Sequence, residues 1–243
     1  MSAKRLVIVI SAKGGTGKTF FARYAADRYE RHKVDVTLVD ADPDVAQLQQ
    51  YYDDAVPIEP TDVAGLLHIV DQAETPVILM DMPGRGLSDL RAANKEASMF
   101  DWLSQNRVDV TVINVVTPYR ASTSSVGLML DTIGDSDVTT IALLNRTFGP
   151  REDDWILWYG DTRLDIAESE SRGRLLERGG IELQIPALRT SIPVLLDLTS
   201  ETFSYALASN ASSLKAAHMK QYLRTWLREM DLALRPIEGA LGL

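Results

Sequence analysis

The sequence contains no cysteine. That excludes disulfides, thiolate metal sites and cysteine-ligated iron–sulfur clusters. It has only three histidines, His32, His68 and His218. They are scattered along the chain, so they suggest no metal centre and read as surface or structural residues. No stretch reaches the ~18 apolar residues of a membrane span. The opening "MSAKR" passes straight into the apolar run "RLVIVI". That run is too short for the apolar region of a signal peptide, and no small-residue cleavage site follows, so a soluble cytoplasmic protein is expected. There is no internal repeat and no low-complexity linker. Basic residues are in deficit, 25 Lys and Arg against 34 Asp and Glu, for a net charge of −9. The average surface therefore repels nucleic acid, and any contact with it needs a local patch.

What is present is a chain of 243 residues, 45% of them hydrophobic. That length and composition suit one large domain with a substantial core. Apolar strand candidates fall at 5–11, 35–40, 76–81, 109–116, 138–145 and 181–185. Helical patterns fall between and after them, at 18–32, 44–52, 61–72, 86–105, 121–134, 163–178 and 202–235. Strand and helix in alternation predict an α/β fold, a single doubly wound and mostly parallel sheet with helices on both faces. The strands read as continuous apolar runs because both faces are covered. Residues 1–243 are expected to form one domain, with 202–235 a helical segment packed on it. Ligands in such folds bind beyond the carboxyl ends of the strands.

The strongest motif sits at such an end. "SAKGGTGKT", residues 11–19, follows the first strand candidate and opens the first helix. A glycine-rich turn between a buried strand and a helix N-terminus aims backbone N–H groups at the positive end of a helix dipole, a site for phosphate. Gly14, Gly15 and Gly17 allow close approach and positive φ. Lys18 can reach the β- and γ-phosphates, and the Thr19 hydroxyl can ligate Mg²⁺. Ala12 stands where such loops open with glycine, and a second lysine, Lys13, follows it. Other strand ends carry Asp40 and Asp42 ("TLVDADPD") and Asp81 ("VILMDMPG"). Carboxylates beside a phosphate loop suit Mg²⁺ coordination and orientation of an attacking water. Asn145 ends a later strand with an amide able to pair with adenine, and Pro186 follows the last strand, where a rigid loop could cover a base.

These stretches resemble the deviant Walker A ATPases of the ParA/MinD family over roughly residues 4–200. The match is firmest in the Lys-Gly-Gly-x-Gly-Lys-Thr core at 13–19. The resemblance implies ATP or ADP with Mg²⁺ as ligands. Nucleotide contacts would come from Gly14, Gly15, Thr16, Gly17, Lys18, Thr19 and Phe20. It makes Lys13 a residue that crosses a dimer interface to the partner's nucleotide phosphates, and Asp42 the one that positions the hydrolytic water. Thr19, Asp40 and Asp81 fall at or near the metal, and Asn145, Arg146, Ile185 and Pro186 near the base. The implied activity is ATP hydrolysis coupled to an ATP-dependent homodimer and stimulated by an adaptor protein. Segregation or positioning of cargo, plasmid DNA above all, is the favoured role. A MinD-like membrane-cycling regulator is the alternative, and a small-molecule enzyme on the same scaffold a third. One departure concerns the partition subgroup: many of its members continue Asp-Pro-Gln-Gly, whereas this chain has Asp44 and Val45. Near the C-terminus, Met219, Leu223, Trp226, Leu227, Met230 and Leu234 recur at helical spacing, a stripe that should dock on the sheet. Lys220, Arg224 and Arg228 are spaced by four and would form one column, the candidate contact for non-specific DNA. The aromatic, acidic "DDWILWYG" at 153–160 is expected to pack on the core.

Overall fold

A computed structural model describes residues 4–11, 13–42, 47–188 and 191–243. Seven strands, β1 (Lys4–Ile10), β2 (Val36–Asp40), β3 (Val56–Pro57), β4 (Val77–Asp81), β5 (Val108–Val116), β6 (Val138–Asn145) and β7 (Ile181–Ile185), form one sheet in the order β3-β2-β4-β1-β5-β6-β7. Every pairing is parallel, as the strand–helix alternation requires. The strand carrying the phosphate motif lies centrally, between β4 and β5.

Alternate residues of β1 enter opposite layers, as the two-residue period of a strand dictates. Leu6, Ile8 and Ile10 join one core with α2 (Val63–Gln72), α3 (Gly86–Ala97), α4 (Met99–Gln105) and α6 (Ser125–Ile133), which follows the short α5 (Arg120–Thr123). Val7 and Val9 join the other with α1 (Lys18–His32) and later helices. Trp155 and Trp158 of the "DDWILWYG" segment are fully buried. They flank the start of α7 (Ile156–Tyr159), which precedes α8 (Glu170–Glu177). That segment packs on the core as expected.

The chain after β7 departs from the expected single helix over 202–235. It forms α9 (Ser191–Leu198), α10 (Phe203–Ala208), α11 (Ala217–Leu234) and α12 (Glu238–Leu241). Residues 209–216 carry no helix. They hold "SNASS", whose polar side chains compete for backbone hydrogen bonds. The docking stripe on α11 is as expected: Leu223, Trp226, Leu227, Met230 and Leu234 are buried and Met219 packs beside them. The helix expected at 86–105 breaks at Ser98, which takes φ 45°. The pattern at 163–178 yields α helix only at 170–177. The described part of the helix expected at 44–52 is a turn at 47–51, because Asp40 engages its backbone N–H groups. Ala12, Asp44 and Val45 lie outside the described residues.

Candidate nucleotide site

Residues 13–17 connect β1 to α1 as an open loop. Gly15 and Gly17 have φ of 74° and 97°, the left-handed region that favours glycine. Gly17 is also held by space: a Cβ there would lie 2.5 Å from Asn145 Nδ2. Asn145 donates from Nδ2 to the Thr16 carbonyl (2.9 Å), and its Oδ1 accepts the Thr147 N–H (3.1 Å). The end of β6 thereby braces the loop. The amide expected to read a base is engaged with the loop and its own turn. Lys18 is buried and donates weakly to the Lys13 carbonyl, at 3.4 Å. Burial lowers its pKa, while Asp81 and Asp42 oppose that shift. Lys13 is exposed. The two lysines thus leave the loop in different surroundings, one inside the site and one in solvent.

Sequence reasoning missed Gly84. A Cβ there would sit 3.1 Å from the Gly14 nitrogen, so the turn after β4 packs its backbone directly on the phosphate loop. The signal was present in "DMPGRG", a glycine just after a strand-end aspartate.

Asp40 and Asp81 are register partners at the ends of β2 and β4. Their environments differ. The Asp40 carboxylate accepts backbone N–H groups of Asp42 (3.1 Å), Leu48 (2.8 Å) and Gln49 (3.0 Å). It organises the following turn, a different employment from the metal contact expected of it. Asp81 is buried, and its Oδ1 has no hydrogen-bond partner among the described residues. Burial pushes its pKa up to about 7, while the Thr19 hydroxyl and Lys18 ammonium pull it down and Asp40 and Asp42 push it further up. A buried carboxylate oxygen without a partner is costly. A cation beside Thr19 and Asp81 would relieve that cost, so these residues fit Mg²⁺. No group of three or more His, Asp or Glu side chains is arranged to hold a metal among the described residues. Much of the cation's coordination would therefore come from phosphate oxygens and water, as is usual for Mg²⁺.

A cavity of about 570 Å³ opens from the loop, lined by Gly15, Gly17, Lys18, Thr19 and Phe20 at one end. Thr147, Phe148, Leu188, Pro193 and Val194 also line it, with Asn145. Arg146, Ile185 and Pro186 are not among its lining residues. Ile185 points into the core, and the Pro186 carbonyl accepts the Trp226 indole N–H at 2.9 Å. The apolar wall thus comes from residues slightly later in the chain than expected. α9, which supplies Pro193 and Val194, escaped sequence analysis because "SIPVLLDL" reads as strand or helix alike. On α11, Arg224 and Arg228 are exposed. Lys220 instead donates from Nζ to the Ser209 carbonyl at 2.7 Å. The expected column is therefore two exposed arginines and one lysine committed to the preceding loop.

Residues 7–133 match the model of the CobQ/CobB/MinD/ParA nucleotide binding domain. No curated protein sequence matches the chain. Among solved structures, a nucleotide-binding protein in complex with ADP from Archaeoglobus fulgidus is similar with a TM-score of 0.51 and 16% identity, covering 80% of this chain and 86% of that one. The MinD cell division protein of Aquifex aeolicus aligns with a TM-score of 0.49 and 16% identity, covering 94% and 97%.

Proposed function

The chain belongs to the CobQ/CobB/MinD/ParA nucleotide-binding domain family, and from that premise we propose that it is a magnesium-dependent ATPase that closes into a homodimer on ATP and uses the cycle to position cargo, plasmid DNA in the first instance. The observation that carries this reading is the pair of lysines. Lys18 is buried in the site with Asp81 and Asp42 acting on its charge, whereas Lys13 is exposed on the same loop. A lysine held outside its own site is available to the phosphates of a second copy.

The loop N–H groups and Lys18 bind the phosphates, and Thr19 with Asp81 holds the cation. When bound, Mg²⁺ neutralises phosphate charge during transfer to water. Asp42 orients that water. Phe148, Leu188, Pro193 and Val194 enclose the base. An adaptor protein stimulates hydrolysis, and the closed dimer binds its surface through Arg224 and Arg228 of both copies.

The test is DNA retention by the protein with Mg·ATP, Mg·ADP or no nucleotide, run beside co-sedimentation with anionic vesicles. Retention on DNA with Mg·ATP alone supports the reading. Vesicle binding without DNA binding replaces it with membrane cycling. A protein that hydrolyses no ATP and remains monomeric contradicts it.

A further inference from the structure

The phosphate loop has a neighbour that no motif explains. The Thr19 hydroxyl donates to Gln47 Oε1 at 2.9 Å. Gln47 follows the strand-end acids Asp40 and Asp42 in the chain, and it lines the same cavity as Lys18 and Thr19. We propose that Gln47 is a protein ligand of the nucleotide-bound cation, adjacent to Thr19 in its coordination shell. This rests on the Mg²⁺–nucleotide reading of the site.

Three observations lead there. A side-chain amide oxygen is a hard donor of the kind Mg²⁺ takes. Two ligands at right angles on an octahedral Mg²⁺, each bonded at about 2.0–2.1 Å, stand roughly 2.9 Å apart. Thr19 Oγ1 and Gln47 Oε1 already stand at that spacing, so a cation could bind both without moving either backbone.

The second observation is that the turn bearing Gln47 is fixed at several points. Leu48 and Gln49 donate their N–H groups to Asp40. Gln49 Nε2 donates to the Ala55 carbonyl at 2.9 Å. The Tyr51 hydroxyl donates to Asp197 of α9, and the Arg23 guanidinium stacks 3.3 Å from the Tyr51 ring centroid. Gln47 is thus held in place by contacts that it does not itself make.

The third concerns the neighbouring carboxylate. Asp40, the expected metal residue, spends its carboxylate on three backbone N–H groups. Asp40 then serves the cation at one remove, as the positioning residue for Gln47.

The experiment uses the full chain and Mn²⁺, whose paramagnetism reports binding directly. Affinity for ADP is measured first in EDTA, then Mn²⁺ is titrated into the protein–ADP complex and followed by electron paramagnetic resonance. Wild type, Gln47→Ala and Gln47→Glu are compared. Gln47 is exposed, so both variants should fold. The expected result is that Gln47→Ala leaves ADP affinity in EDTA unchanged and raises the Mn²⁺ Kd about five- to twenty-fold, roughly 1–1.8 kcal/mol. Gln47→Glu, which keeps an oxygen there, should bind Mn²⁺ at least as tightly as wild type. An unchanged Mn²⁺ Kd in Gln47→Ala would overturn the proposal and leave the contact an ordinary hydrogen bond. A lower Kd would overturn it in the opposite sense, with Gln47 an obstacle to the cation. If wild type binds no ADP with or without Mn²⁺, the nucleotide reading falls, and this inference with it.

Discussion

Asp81 is a carboxyl held far from its ordinary chemistry. Its carboxyl is raised from 3.8 to about 7 by burial. For an acid with a raised folded-state pKa, the unfolded state loses its proton first. The stability that the neutral form supplies is therefore full below about pH 4 and lost as pH rises through about 7. Without nucleotide, the wild type should weaken between pH 5 and pH 8. Asp81→Asn should weaken less over that range and be the more stable of the two at pH 8, on the order of a few kcal/mol. Urea midpoints at the two pH values decide this, and parallel curves for the two proteins would show that Asp81 is ionised in the fold. The same substitution should weaken cation binding in the presence of nucleotide. Gly17 makes a second residue-scale prediction. Alanine there meets both a φ of 97° and the Asn145 amide. Gly17→Ala should abolish nucleotide binding while its circular dichroism spectrum stays that of wild type. Retained binding would mean the loop can rearrange at no cost.

At the scale of elements, the aromatic contacts between α1, α10 and α11 connect packing with the site. Trp226 on α11 lies 5.4 Å from the Phe20 ring, 5.5 Å from Phe203 and 5.8 Å from Tyr24. Phe20 lines the nucleotide cavity. Trp226→Ala should cost about 3–5 kcal/mol of stability and also weaken nucleotide affinity, since Phe20 loses its support. Chemical denaturation and a fluorescent-nucleotide titration check the two halves, and full affinity in a destabilised variant would separate α11 from the site. This coupling was only half legible in the sequence. The α11 stripe was clear because apolar residues recur at 3.6-residue spacing, and the strands were clear as apolar runs. The phosphate loop was legible because its chemistry is local and contiguous. The cavity's apolar lining was not, because Phe148, Leu188 and Pro193 come together only through the sheet order. The turn at 47–51 was read as helix because its conformation is dictated by Asp40, several residues upstream. Asp40 itself was read as a metal group because a sequence shows a carboxylate but not the N–H groups that occupy it.

For the molecule as a whole, the −9 charge sets the terms for any contact with DNA. Two exposed arginines on one copy offer little against that background. Joining two copies doubles the phosphate contacts, and affinity climbs steeply with their number. Arg224→Ala with Arg228→Ala should therefore remove ATP-dependent DNA retention while leaving ATP hydrolysis and stability near wild type. Lys220→Ala should matter less to DNA and more to the 209–216 loop that it holds. Retention measured at low and moderate salt checks both, and unchanged binding by the double variant would place the DNA surface elsewhere.

Whether ATP closes two copies into a dimer is read from molar mass in solution. Light scattering on purified protein, with Mg·ATP and with Mg·ADP, should be run on Asp42→Ala and on Asp42→Ala with Lys13→Ala. Asp42→Ala should show twice the monomer mass in Mg·ATP only, because the bound nucleotide is no longer hydrolysed. The double variant should show the monomer mass in both nucleotides, with ATP binding intact. A double variant that dimerises as fully as Asp42→Ala, or an Asp42→Ala protein that stays monomeric in saturating Mg·ATP, would contradict the ATP-dependent dimer.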